Sequence, residues 1–447
     1  MFIDFILEQF KQNFNNEALI WHDEAYSYGS MLDLFENWKL KLAEENLPAG
    51  SVVAFEADFS PAAVALLLAL IESQCIIALL SKAVKEKKAE FCEIAEAEYL
   101  ISLNLDDHIS ISKQNKKATH EIYTKLRHIG HPGVILFSSG STGKSKAAVH
   151  DFVPLLEKFK RARHAKRTIA FLLFDHIGGL NTMFYTLANG GCLITVQDRS
   201  PAFVCSAIEN YQVQTLPTSP TFLNLMMLSE AYKGCNLESL ELVTYGTEVM
   251  PETTLKKFHS LFPHVRLLQT YGLSEVGILR SKSKSSDSLW VKVGGDEFQT
   301  RVRKGMLEIK AQSAMLGYLN APTPFTEDGW FMTQDEVEVD GDYIKILGRT
   351  SEVINVGGEK VFPAEVESII QLMEGVAEVA VSSEPNPITG QMVKAFVKLS
   401  TPETIKEFRF RLLQFCKDKL PGYKIPQKLV LVDNWLHNDR FKKMRKS

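Results

Sequence analysis

Strand-like runs alternate with helix-like stretches through the first two thirds of the chain, in the order 51–56, 62–71, 75–80, 98–103, 133–137 and 168–173. The rhythm continues at residues 192–196, 215–217, 240–245 and 265–269, each flanked by a helical stretch. Alternation of this kind predicts α/β layers with largely parallel sheets. The most apolar run, residues 62–80, is interrupted by Glu72 and Gln74 and is too short to span a bilayer. It reads as a buried helix followed by a strand over 75–80. The opening segment, MFIDFILEQFKQNFNNE, lacks a basic start, an apolar core and a small-residue cleavage site, so it reads as an amphipathic helix. From Arg301 the texture changes to short strands and turns, with the Asp340-Gly341-Asp342 turn joining two alternating strands. After Gly348 a separate small α/β unit is expected, with helices over 363–373 and 402–419 and strands over 376–382, 391–399 and 428–432.

Length supports this division, because 447 residues exceed what one hydrophobic core usually organises. A hydrophobic fraction of 45% with 23% charged residues is ordinary for a soluble globular chain, and a net charge of −4 gives no pull toward nucleic acid or anionic membrane. Basic residues do gather at the end, as Arg440, Lys442, Lys443, Arg445 and Lys446. The six cysteines form no C-x-x-C pair and no metal-ligand spacing, so reduced, mostly buried thiols of a cytoplasmic protein are expected.

Candidate chemistry centres on FSSGSTGKSK, residues 137–146, directly after an apolar strand-like run. Glycines let backbone N–H groups turn inward around an anion, and Ser and Thr hydroxyls add donors. Gly143-Lys144-Ser145 supplies the second half of a Walker loop, but Ser138 stands where its first glycine belongs. Three later stretches decide between the alternatives: QTYGLSEVG at 269–277, WFMTQD at 330–335 and GRTSEVINVGGEKVFPAEVE at 348–367. Together with the loop they resemble, in order and spacing, the signature motifs of the acyl-adenylate-forming superfamily. That superfamily includes acyl- and aryl-CoA synthetases, peptide-synthetase adenylation domains and firefly luciferase. The resemblance runs from about Tyr26 to Arg445.

What the resemblance implies is a large N-terminal domain, residues 1–350, of layered α/β sheets with a β-rich subdomain, and a small mobile α/β domain, residues 351–447. Ser351 would be the hinge, where many relatives carry Asp or Lys. The implied reaction joins a carboxylate to the α-phosphate of ATP, releases pyrophosphate, and passes the acyl group to a thiol. Ser138, Ser139, Gly140, Ser141, Thr142, Gly143 and Lys146 would cradle the phosphates, and Glu275 would hold Mg²⁺. Ser274 would donate to the α-phosphate, Tyr271 beside Gly272 would stack on adenine, and Gly246-Thr247-Glu248 would run along the adenine edge. Asp335 would accept the ribose hydroxyls, although Gln334 replaces a family glycine before it, and Arg349 would lie near ribose and phosphates. The C-terminal pattern T-x-x-G-K-x-x-R puts Lys442 in the catalytic place, with Phe441 where the glycine belongs and Lys443 leaving the register open by one residue.

Substrate class is implied by Leu173-Phe174-Asp175-His176-Ile177-Gly178-Gly179, which resembles the segment of aryl- and acyl-CoA synthetases whose histidine gates the carboxylate site. Asp175 imitates the amine-anchoring aspartate of peptide synthetases, but the serine two residues on is missing, and Asp175 is expected to turn outward or cap a helix. His176, Ser219 and Gly246 are expected in the acid pocket, and Gly357 and Gly358 along a pantetheine tunnel. Coenzyme A and an acyl or peptidyl carrier protein stay open as acceptor, as does the acid. A stand-alone amino-acid adenylating enzyme and a non-catalytic nucleotide-binding relative are the alternatives. No nucleic-acid partner and no membrane span are expected.

Overall fold

Every residue from Pro61 to Ile71 is buried, and the helix Pro61–Glu72 that holds them is apolar all round, so it lies inside the molecule rather than on it. Ser60 caps it by accepting from the Ala63 N–H, and Pro61 presets its first turn. The carboxylate of Glu72 at its far end accepts from the backbone N–H groups of Phe2 and Ile3, which seats the N-terminal helix Asp4–Gln12 by its Ile6, Leu7 and Phe10 face. The structure is a computed structural model and describes residues 2–104, 106–139, 145–438 and 441–445.

Two seven-stranded sheets carry the first two thirds. One runs Arg266–Gln269, Leu242–Tyr245, Thr215–Thr218, Arg167–Ile169, Cys192–Ile194, Glu17–Trp21 and Glu24–Ser27, parallel except for its last strand. The other runs Gly317–Tyr318, Ser145–Asp151, Gly133–Ser139, Ile76–Leu80, Val52–Glu56, Tyr99–Leu103 and Ile109–Lys113, with a parallel centre and antiparallel edges. Both agree with the expected α/β layering. A six-stranded antiparallel sheet follows, and it begins at Arg280–Ser283 rather than at Arg301. The earlier start went unread because RSKS and VKVG are short and polar on one face.

The chain after Tyr343–Arg349 passes through the single turn Thr350–Glu352 into a last sheet of Glu359–Val361, Ile354–Val356, Gly390–Leu399, Val376–Asn386 and Lys428–Leu431. Helices Pro363–Ile370 and Ile405–Cys416 pack on it, and its core draws only on residues from Ile354 onward. Both helices are shorter than expected. Ile405–Cys416 starts at a capping box between Thr404 and Glu407 rather than at Pro402. The cysteines are unpaired, four buried and two partly buried. Among the described residues no helix is long and apolar enough to cross a membrane.

Candidate active site

The strand Gly133–Ser139 turns back as Ser145–Asp151, and the two pair antiparallel with Ser138 opposite Lys146 and Ser139 opposite Ser145. A Walker loop leads from strand into helix, so this hairpin excludes that reading. Gly140, Ser141, Thr142 and Gly143, with the Ser139 side chain, lie outside the described residues. Lys146, on the returning strand, sets its ammonium 5.2 Å from the centre of the Tyr318 ring. The Tyr318 hydroxyl in turn donates to Glu275 Oε1 at 2.7 Å. Glu275 sits in the tight turn between Gly272–Leu273 and Gly277–Ile278.

Beneath that turn lies a residue outside the sequence motifs. His150 is fully buried, with Nε2 2.5 Å from the carbonyl of Ser274 and Nδ1 3.0 Å from that of Ser313. Burial lowers its pKa, against the pull of the two carbonyls and of Glu275. It shares a strand face with Lys146 by alternation, and a histidine closing the small, apolar run Ala147-Ala148-Val149 was the signal available.

Asp335 pairs across strands with Arg349, whose Nε is 3.4 Å from Oδ1, while the buried hydroxyl of Tyr271 donates to Oδ2. Burial raises the Asp335 pKa, opposed by Arg349 and Tyr271. Gln334, just before it, has φ +62°, so the left-handed turn that a glycine would make is kept by a side chain pointing to solvent. Gly246 lies against Thr270, the residue before Tyr271: a Cβ there would stand 2.8 Å from both the carbonyl and the hydroxyl of Thr270, so no larger residue fits without movement of Thr270.

The C-terminal tail crosses back onto the large sheet. Phe441 enters a cage of Phe171, Phe222 and His437, with its carbonyl accepting from Ser219 Oγ at 2.8 Å. Lys442 then lines a recess with His176, Thr247, Phe171, Leu172 and Leu173. Lys443 turns the other way. Its N–H donates to Glu248 and its ammonium lies 3.4 Å from buried Glu367, which Arg445 also grips at 2.9 and 3.0 Å. Of the two adjacent lysines, Lys442 is therefore the one presented to the recess.

The sequence from 6 to 295 matches the AMP-binding enzyme family, and residues 365–442 match the AMP-binding enzyme C-terminal domain. The chain belongs to the AMP-binding enzyme family. It is 24% identical, over 76% of its length and 69% of the relative's, to the 3-[(3aS,4S,7aS)-7a-methyl-1,5-dioxo-octahydro-1H-inden-4-yl]propanoyl:CoA ligase of Rhodococcus jostii. It is 27% identical to the indoleacetate–CoA ligase of Aromatoleum aromaticum, over 68% of this chain and 64% of that one. The chain thus spans about two thirds of the length of these curated relatives. Its fold resembles that of an anthranilate CoA ligase solved with anthranoyl-AMP, with a TM-score of 0.81 at 17% identity, covering 98% of this chain and 95% of that one.

Several expectations for this AMP-binding enzyme need correction. Asp175 neither turns outward nor caps a helix; it is buried, and His176 is the cap of Ile177–Leu187, its Nδ1 accepting from the Gly178 N–H at 3.0 Å. Glu248 accepts from the Thr221 N–H on one carboxylate oxygen and from the Lys443 N–H on the other. Ser219 is fully buried, capping Pro220–Ser229 and holding Phe441, so it supports the recess from behind instead of lining it. Gly357 and Gly358 form an exposed left-handed turn of the small unit.

Proposed function

We propose that this AMP-binding enzyme activates a carboxylic acid with ATP and transfers the acyl group to the thiol of coenzyme A or a carrier protein. In the first step a carboxylate oxygen attacks the α-phosphorus, the α–β P–O bond breaks, and pyrophosphate leaves. In the second the thiol sulfur attacks the acyl carbon, AMP departs with the carboxyl oxygen, and the thiol proton passes to solvent. The observation that carries the reading is the gathering of Lys442, His176 and Thr247 around one recess, with Gly246, the neighbour of Thr247, packed on Thr270, which precedes Tyr271 in the chain. An ammonium there would stabilise negative charge as it shifts between carboxylate and α-phosphate.

His176, with Nδ1 committed to Gly178, carries the proton of its neutral ring on Nε2 and can donate to a carboxylate. Lys146 and Arg349 supply positive charge for the triphosphate and ribose side. Glu275 offers the carboxylate oxygen that a hard divalent ion favours, and such an ion, when bound, neutralises phosphate charge. Rotation at Ser351 would bring the Gly357-Gly358 turn toward the acyl group for thiol attack. The recess is lined by His176 and not by Asp175, which favours acids without an obligatory amine.

Carboxylate-dependent exchange of labelled pyrophosphate into ATP tests the reading across aryl, fatty and amino acids. Exchange with one acid class, abolished in Lys442→Ala, is expected. No exchange with any acid despite nucleotide binding would overturn it, and exchange that survives Lys442→Ala would overturn the role given to the lysine.

A further inference from the structure

The space left among the side chains of the recess is about 10 Å³, room for about one water molecule. What fills it is Phe441. Its ring centre stands 5.3 Å from that of Phe171 and 5.5 Å from that of Phe222, both buried in the large unit's sheet core, and 5.4 Å from the stacked His437 ring of its own unit. Its backbone has φ +50°, a conformation that a bulky aromatic residue rarely adopts. The peptide is held there by Ser219 on its carbonyl and by the Asn438 carbonyl accepting its N–H at 2.8 Å. A ring aimed against its own backbone preference into the cavity beside Lys442 acts as a built wall, not as loose tail packing.

We propose that Phe441 is a specificity-determining residue: carried by the small unit, its ring occupies the part of the acid pocket that an acyl tail would fill, and confines the enzyme to compact acids. This rests on the acid-activation reading above. Because Phe441 and Lys442 are adjacent, the same movement that seats the lysine inserts the wall. Acids are therefore measured for size in the arrangement that activates them, and withdrawal of the small unit reopens the pocket. Truncation to alanine removes the whole ring and leaves space for a chain several carbons longer. Each methylene in an apolar pocket is worth roughly tenfold or more in discrimination.

The test uses the full chain, native, Phe441→Ala and Phe441→Leu, with acetate, propionate, butyrate, hexanoate, octanoate and benzoate. Pyrophosphate exchange reads activation, and calorimetric binding of each acid without ATP reads the pocket independently. The expected result is a native preference for the shortest acids. In Phe441→Ala the octanoate-to-propionate ratio should rise at least tenfold, with Phe441→Leu between, in binding and in exchange. Exchange with superimposable size profiles in all three proteins would overturn the inference and leave the activation reading standing. Profiles that shift in binding, with no exchange in any protein, would sustain the wall and overturn activation. Absence of both binding and exchange for every acid would overturn both.

Discussion

Replacing Glu367 by glutamine removes the charge that anchors the C-terminal tail. Glu367 lies in helix Pro363–Ile370, is 1% exposed, and receives Arg445 at 2.9 and 3.0 Å, Lys443 at 3.4 Å and the Val381 N–H at 2.9 Å. Removing one partner of a buried ion pair costs about 3–5 kcal/mol because the other charges stay buried and uncompensated. Glutamine keeps one acceptor oxygen, so the lower end, ~3 kcal/mol, is expected, equivalent to about a hundredfold in the seated-to-unseated ratio. In Glu367→Gln, amide exchange over residues 441–445 should accelerate by about that factor. Pyrophosphate exchange should fall while ATP binding holds, since the nucleotide-side cluster is not touched.

The charge also fixes a pH window. Burial pushes the Glu367 carboxyl up, but Arg445 and Lys443 override it and hold it at about 2, below its ordinary 4.5. The folded pKa is depressed, so the stabilisation is complete above about 4.5 and is lost as pH falls toward 2. Tail protection in the native protein should decline over that interval, and Glu367→Gln should show no such step. Unchanged protection and activity in the variant would refute an ionic seat for the tail.

Lys443→Ala should reduce exchange far less than Lys442→Ala, because Lys443 points to Glu367 and Arg445 remains there; equal losses in the two rates would reverse the lysine assignment. Gln334→Gly should leave the melting temperature nearly unchanged, whereas Gln334→Val, forced into the same left-handed turn, should lose about 1–2 kcal/mol by thermal unfolding. Lys158 is half-buried, donating to Asn181 and to the Ile278 carbonyl, and desolvation of its ammonium lowers its pKa to about 7 from 10.5, with Glu297 opposing. The unfolded chain then binds more protons at this site between those values, so native stability gains with pH across the window. The melting temperature of Lys158→Met minus that of the native protein should accordingly fall between pH 7 and 10. Gly246→Ala should weaken nucleotide binding, read by titration calorimetry, because its Cβ would displace Thr270.

What could be read from the sequence was local. The helix at 61–72 and the strand after it follow from continuous apolar runs. Lys442, His176 and Thr247 were each named from their own short motif, and the fold brings them to one recess. What went unread depends on partners far along the chain. Tyr318 reaches Glu275 across 43 positions, His150 reaches Ser274 across 124, and Glu248 meets Lys443 across 195. No periodicity encodes such pairings, because each needs the sheets to be assembled first. Phe441 and Gln334 looked like lost glycines, yet both keep the left-handed backbone a glycine would supply.

The tail is stitched to both units, and its contacts divide unequally. Arg445 and the Lys443 ammonium hold Glu367 of the small unit, so these move with it. The Phe441 carbonyl on Ser219, the Lys443 N–H on Glu248 and the Phe441 ring against Phe171 and Phe222 join it to the large unit. A rotation that exposes the acyl group to a thiol must break the second set and keep the first. Each hydrogen bond contributes about 0.5–1.5 kcal/mol and the half-buried ring less than the roughly 1.5–3 kcal/mol of a fully buried one, so the seated arrangement is favoured by a few kcal/mol from these contacts. Glu248→Gln leaves one oxygen for two N–H donors and sets an amide hydrogen against the other. Loss of about 1.4 kcal/mol would shift the seated population tenfold. If rotation limits turnover, Glu248→Gln should slow pyrophosphate exchange while speeding the thiol step in single-turnover assays. Equal slowing of both steps would mean that Glu248 supports the site itself and not the balance between its two arrangements.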